Sequence, residues 1–230
     1  MENKELGIYI HIPFCKSKCY YCDFTSYTNQ DNKIQNYIEQ VISEMKQYSF
    51  QKYNVTTIYI GGGTPSYIDE KYIEQLLEVL QEKLVNNLTK WKEIEITIEV
   101  NPGTITKKKL ETYQKKGINR ISIGLQSTND NLLKEIGRIH SFKDFLETYQ
   151  FVKEVGFKNN NIDFMIGLPN QTIEDIRQTL DTIQKLEPDH VSIYSLMVEE
   201  GTKMEQFIAD RKTILARRRT RTTDVLVCKK

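Results

Sequence analysis

Apolar residues recur along this chain in two rhythms. Short β-branched runs alternate with longer stretches whose apolar positions lie three and four apart. "GIYIHI" (7–12) has the character of a buried strand. Beyond it, Ile34, Ile38, Val41, Ile42, Met45 and Tyr48 share one helical face, and Asp31 is placed to cap that helix. "VTTIYI" (55–60) is a second strand, punctuated by "GGGTPS". Ile73, Leu76, Leu77, Leu80 and Leu84 then line a second helix. "IEITIEV" (94–100) alternates apolar and polar, as a strand with two different faces does. Thr106 opens a short helix through Leu110 and Tyr113, which Gly117 ends. "INRISIGL", "NNIDFMIGL" and "HVSIYSL" supply three more strands. Between them lie helices from Ser141 to Val155 and from Thr172 onward, where Thr172 and Asp175 form a variant capping box.

Six strand–helix steps with short connections predict an α/β fold with mainly parallel strands, either a partial (βα)6 barrel or an open doubly wound sheet. A closed eightfold barrel usually takes about 250 residues. The unusual residues follow strands or end them. The cysteines follow the first strand and Gly61–Ser66 the second; Glu99 ends the third, Gln126 follows the fourth, and Asp163 lies in the fifth. Functional groups in parallel α/β folds gather at the carboxyl ends of strands, so these five features are predicted to share one edge.

Composition bounds the function. The chain has 230 residues, 39% hydrophobic and 27% charged, enough for a core without disulfide staples. A net charge of +1 argues against general affinity for nucleic acid, and no nucleic-acid partner is expected. No apolar run approaches a membrane span, and "MENKELGIYIHIPF" lacks the features of a signal peptide. A cytoplasmic protein with reduced thiols is therefore expected. Residues 210–230 hold eight Lys/Arg against two Asp, whereas the remainder carries a net negative charge. The division predicted is a core domain over residues 1–209 and a basic tail over 210–230, disordered or aberrant.

Cys15, Cys19 and Cys22 form C-x3-C-x2-C. Soft thiolates at this spacing favour zinc or iron–sulfur chemistry. A structural zinc site wants four protein ligands, and neither a fourth cysteine nor a suitably spaced histidine lies near. Three thiolates on a cubane iron–sulfur cluster would leave one iron open to a small molecule. Cys228 stands apart as a lone terminal thiol.

The cysteine motif, with aromatic Tyr21 before its last member, resembles the radical S-adenosylmethionine family. "YIHIPFC", "GGGTPS", "EVNPGT", "NRISIGLQS", "GRIH" and "IDFMIGLPNQT" stand in the order of the oxygen-independent coproporphyrinogen III oxidase-like branch, over about residues 7–202. The resemblance implies a radical SAM barrel. It implies a [4Fe–4S] cluster on Cys15, Cys19 and Cys22 whose open iron is chelated by S-adenosyl-L-methionine. Reduction of that cofactor then yields methionine and a 5′-deoxyadenosyl radical. Tyr9, Tyr21, Gly62, Gly63, Thr64, Glu99, Gln126, Arg138 and Asp163 match the family's cofactor-contact positions. Gly61 extends the glycine run, whose lack of side chains admits a ligand close to backbone.

Phe24 separates the branches. Coproporphyrinogen dehydrogenases resemble C-x3-C-x2-C-x-C, whereas this chain reads C-Y-Y-C-D-F, as in the heme chaperone branch. That likeness implies heme or a porphyrin as bound cargo, a heme-recipient protein, and an electron donor such as flavodoxin or ferredoxin. The alternatives are a true coproporphyrinogen dehydrogenase and an inactive cluster-binding fragment. Relatives continue into a C-terminal domain with an H-N-x-x-Y-W signature. Resemblance here fades after "EEGTKMEQF", so the chain reads as C-terminally truncated and the family's C-terminal domain as absent.

Overall fold

Ile10, Ile60, Ile98 and Ile121 occupy adjoining register positions on four neighbouring strands. Ile123, Ile162 and Val191 continue the layer. The computed structural model describes residues 4–84 and 90–210. Six strands carry this layer: β1 (Lys4–Ile12), β2 (Tyr53–Gly62), β3 (Glu95–Val100), β4 (Arg120–Gln126), β5 (Asn159–Ile166) and β6 (His190–Ser195). They lie in chain order, each parallel to the next.

The helices are α1 (Ile34–Gln47), α2 (Glu70–Leu84), α3 (Lys107–Lys115), α4 (Asp130–Glu135), α5 (Phe142–Val155), α6 (Ile173–Leu186) and α7 (Lys203–Ala209). Residues of α1, α2, α3, α5 and α6 join the isoleucine layer in one core. Neighbours along that layer touch in succession, α1 to α2, α2 to α3 and α3 to α5. One layer of helices on one face makes a half-barrel and excludes the doubly wound alternative. The opposite face carries Tyr59 beside Thr97, then Glu99 beside Ser122 and Asn161, then Gly124 beside Asp163 and Ser192. Strands buried on both faces read as unbroken apolar runs. These strands alternate because their second face is polar and concave.

Local chemistry sets the ends of most helices. Ser141 with Asp144, and Thr172 with Asp175, form complete capping boxes, and the Thr106 hydroxyl accepts from the Lys109 amide. Gly117 (φ +98°) and Gly156 (φ +97°) take the left-handed conformation after α3 and α5. Two expectations need correction. Asp31 does not cap α1; it opens a single 3-10 turn, and its carboxylate accepts from the Tyr67 hydroxyl. Tyr48 ends the helix rather than joining its apolar face, and stays exposed. On the polar face of β3, Glu95 is exposed, Glu99 half-buried and Thr97 buried. Short α4 and α7 are additions that periodicity did not predict. Within the 210–230 tail, residues 211–230 lie outside the described residues.

Candidate functional site at the strand ends

Parallel strands place their carboxyl ends together, and a cavity of about 320 Å³ opens there. Cys15, Cys19, Cys22 and Tyr21 line it from the loop after β1, Gly62 from the end of β2, and Gly63 and Thr64 from the loop that follows. Glu99, Gln126, Arg138 and Asp163 line it from the later strands and the α4–α5 turn. All five dispersed features therefore reach one cavity. Tyr9 does not. It borders an adjoining shallow pocket with His11 and Phe24, where its O–H meets His11 Nδ1 at 3.0 Å. His11 Nε2 lies 2.8 Å from the Thr25 carbonyl. That carbonyl can only accept, so Nε2 carries the proton and the tyrosine donates to Nδ1.

The cysteine loop is fixed from below. Tyr20 N–H donates to the Ile136 carbonyl (3.0 Å), and the Tyr20 carbonyl accepts from Met204 N–H (2.8 Å). Leu132 of α4, Ile136 just after it, Met204 of α7, Met165 and Leu196 form a satellite core against which Tyr20 and Tyr21 pack. A Cβ at Gly137 would lie 2.7 Å from the Tyr20 ring, so this approach needs glycine. The glycine loop meets the cysteine loop as closely. Gly63 N–H donates to the Ile12 carbonyl (2.8 Å), and a Cβ at Gly63 would lie 3.0 Å from Cys15 Sγ.

Each polar wall residue is held. Glu99 accepts from the Tyr59 hydroxyl (2.8 Å) and from Gly62 N–H (3.2 Å). Burial raises its pKa, and those two donors oppose the rise. Asp163 accepts from Asn161 Nδ2 (2.9 Å) and Ser122 Oγ (3.3 Å); burial raises its pKa also. Gln126 sits at a bulge with φ +66°, uncommon for a residue with a Cβ, and accepts from Tyr194 O–H at 2.8 Å. Burial penalises the Arg138 charge, but neighbouring Cys19 and Tyr21 outweigh that and raise its pKa. Arg138 donates to Cys19 Sγ (3.7 Å), Asn101 Oδ1 (2.6 Å) and the Gly124 carbonyl (3.0 Å).

The donor chemistry fits an iron–sulfur cluster. All three thiols are free, and no disulfide withdraws them. Burial pushes the Cys15 and Cys22 thiols up, a cost that a bound soft cation offsets by deprotonating its thiol ligands. Among the described residues, no three Cys, His, Asp or Glu side chains converge on a single metal ion. A cubane needs no such convergence, because its ligands take separate irons. Asn101, Tyr59 and Tyr194 are site residues that sequence reasoning passed over. Asn101 lay in plain view within "EVNPGT"; the two tyrosines carried no signal beyond strand position.

The sequence profile of the radical SAM superfamily matches residues 9–183. The chain is 36% identical to the heme chaperone HemW of Bacillus subtilis (strain 168) over 198 residues, covering 84% of this chain and 51% of that one. It is 37% identical to HemW of Lactococcus lactis subsp. lactis (strain IL1403) over 202 residues, 88% of this chain and 52% of that one. Among solved structures, coproporphyrinogen III oxidase HemN of Escherichia coli, a radical SAM enzyme, superposes with a TM-score of 0.85 at 29% identity. That match takes in 99% of this chain and 52% of HemN. The chain thus spans about half the length of the relatives it matches. With a half-barrel, three free thiols at its open end and a profile match over most of its length, this chain belongs to the radical SAM superfamily.

Proposed function

We propose that this chain holds a [4Fe–4S] cluster on Cys15, Cys19 and Cys22, binds S-adenosyl-L-methionine beside it, and works in heme handling like the heme chaperones it resembles. The observation that carries the reading is the meeting of three free thiols, a side-chain-free glycine loop and an anchored polar wall at one cavity. The cluster, when bound, supplies one electron for reductive cleavage of the sulfonium cofactor. The chain's own residues bind and orient. Gly62 and Gly63 let backbone approach the cofactor's amino-acid end, with Thr64 beside them. Glu99 and Asp163 accept hydrogen bonds from hydroxyl or ammonium groups, and their anchors hold them at fixed positions. Gln126 offers a side-chain amide, and Arg138 a donor face for a carboxylate. Tyr21 flanks the thiols, and Tyr9 stands at the rim.

The cargo assignment rests on Phe24 and on the relatives' identity. Phe24 is 65% exposed and Met197 70% exposed, and both line the cavity. Large apolar side chains bared at a cavity mouth suit the flat face of a conjugated macrocycle. An electron donor and a heme-recipient protein follow from the same reading. The second reading, coproporphyrinogen dehydrogenase, is favoured by the superposition on HemN.

Anaerobic reconstitution with iron and sulfide tests the first step. Wild-type protein should take up about four irons per chain and change its electron paramagnetic resonance signal on adding S-adenosylmethionine. A triple Cys→Ala variant that takes up as much iron would sink the cluster assignment. Hemin titration and an anaerobic assay with coproporphyrinogen III then separate the roles. Saturable hemin binding without protoporphyrinogen formation supports the chaperone; robust turnover supports the dehydrogenase.

A further inference from the structure

Two of the three thiols are joined by a continuous hydrogen-bonded chain. Arg138 donates to Cys19 Sγ at 3.7 Å and to Asn101 Oδ1 at 2.6 Å. Asn101 Nδ2 donates to Thr64 Oγ1 at 3.0 Å, and Thr64 Oγ1 donates to Cys15 Sγ at 3.5 Å. The direction of every link is fixed by chemistry. A guanidinium has no acceptor, so the amide of Asn101 must present its oxygen to Arg138 and its nitrogen to Thr64. That N–H occupies the Thr64 oxygen as an acceptor, which leaves the hydroxyl proton for Cys15. Both ends of the chain therefore donate to sulfur, and Asn101 at the middle sets the polarity.

The frame around Asn101 is rigid. Its backbone N–H donates to Ser66 Oγ (3.0 Å), and its carbonyl accepts from Thr104 Oγ1 (2.7 Å). Ser66 and Thr104 are themselves hydrogen-bonded at 2.7 Å. The residue is thus pinned to the glycine-loop turn on one side and the β3–α3 connection on the other. Neither amide group has a free rotor.

We infer that Asn101 is a positioning residue that orients the hydroxyl of Thr64 and the guanidinium of Arg138 toward two cluster thiolates, and thereby sets the cluster's reduction potential. The inference rests on the cluster reading above. Hydrogen bonds to coordinating sulfur disperse its negative charge and favour the reduced cluster, so losing one makes the potential more negative. An aspartate at 101 would keep the shape and reverse the logic. Its carboxylate accepts from both neighbours, the Thr64 proton turns away from Cys15, and Cys15 sulfur loses its donor.

The test is a potentiometric titration of the reconstituted full chain, followed by electron paramagnetic resonance, for wild type, Asn101→Asp, Thr64→Val, Thr64→Ser and the Asn101→Asp/Thr64→Val pair. Asn101→Asp and Thr64→Val should both shift the midpoint to more negative values, while Thr64→Ser, which keeps the hydroxyl, should match wild type. The added carboxylate has a direct charge effect, which survives in the Thr64→Val background. The relayed part does not, so the Asn101→Asp shift should be smaller there than in wild type. An unchanged midpoint in Asn101→Asp, or an equal shift in both backgrounds, overturns the relay. Should Asn101→Asp fail to fold, the Thr64→Val and Thr64→Ser pair still decides, since equal midpoints refute a hydroxyl–sulfur bond. If wild type itself takes up no iron, the cluster reading fails and the relay falls with it; iron uptake with indifferent midpoints overturns the relay alone.

Discussion

His140 sits 5% exposed behind Arg138, with Nε2 3.4 Å from the Leu125 carbonyl and no partner for Nδ1 among the described residues. Burial, and then the Arg138 charge, push its pKa down to about 3. In the unfolded chain it titrates near 6.5. Below that value the unfolded state binds a proton that the folded state refuses, so stability falls as pH drops from about 6.5 toward about 3. The slope from this group is about 1.4 kcal/mol per pH unit within the window. Urea unfolding at pH 4.5, 5.5 and 6.5 should show it, and His140→Phe should flatten that part of the profile. A slope equal in both proteins would show that His140 is not the group responsible. At this scale the three thiols proposed to hold the cluster stood out by their spacing, because a shared centre restricts spacing. Tyr59, Tyr194 and Asn101 were not, because their roles depend on which strand lies next to which.

Among the elements, the 3-10 turn of residues 65–67 shows how one side chain can fix a loop. Lys109 on α3 points its ammonium at the carbonyls of Ser66 and Ile68, both at 2.8 Å, with those of Thr104 and Tyr67 at 3.4 and 3.5 Å. Burial lowers its pKa. Removing the ammonium takes one part-buried donor from several carbonyl oxygens at once. Lys109→Met should cost about 2–3 kcal/mol in chemical denaturation, and a loss under about 0.5 kcal/mol, typical of a surface change, would refute the clamp. Because Ser66 also holds Asn101, the same variant should loosen the glycine loop. The long helices were readable because periodicity needs length, and the Thr106 and Thr172 starts because each carries a side-chain acceptor at the required offset, whereas the cap expected at Asp31 did not form. Helices α4 and α7, with six and seven residues, are too short to declare a period. They nevertheless seat the cysteine loop, so the support of the most recognisable motif was its least readable part.

At the level of the whole molecule, a half-barrel leaves two sheet edges. Among the described residues nothing pairs with the outer side of β1 or β6. The β1 edge carries Lys4 and Glu5, charges that discourage pairing. The β6 edge bears Ile193 and Tyr194, each 40% exposed among the described residues, with Met197 just beyond. The parallel α/β class was legible from six repeated units, while the choice of half-barrel over doubly wound sheet was not. That choice turns on α1, α2, α3, α5 and α6 all taking one face, which depends on the polar second face of the strands.

Strand order that copies chain order also has a temporal meaning. Every pairing joins a strand to the one synthesised just before it, so the sheet can grow by addition while translation proceeds. N-terminal segments fold first, at synthesis rates of about 5–20 residues per second. The three thiols thus leave the ribosome roughly seven to thirty seconds before Asp163. Arg138 and α4, which steady Cys19 and Tyr20, arrive late in that interval. A nascent chain therefore displays a flexible tri-thiol loop before its cavity exists, and delivery of iron or capture by an oxidant at that stage would precede completion of the barrel.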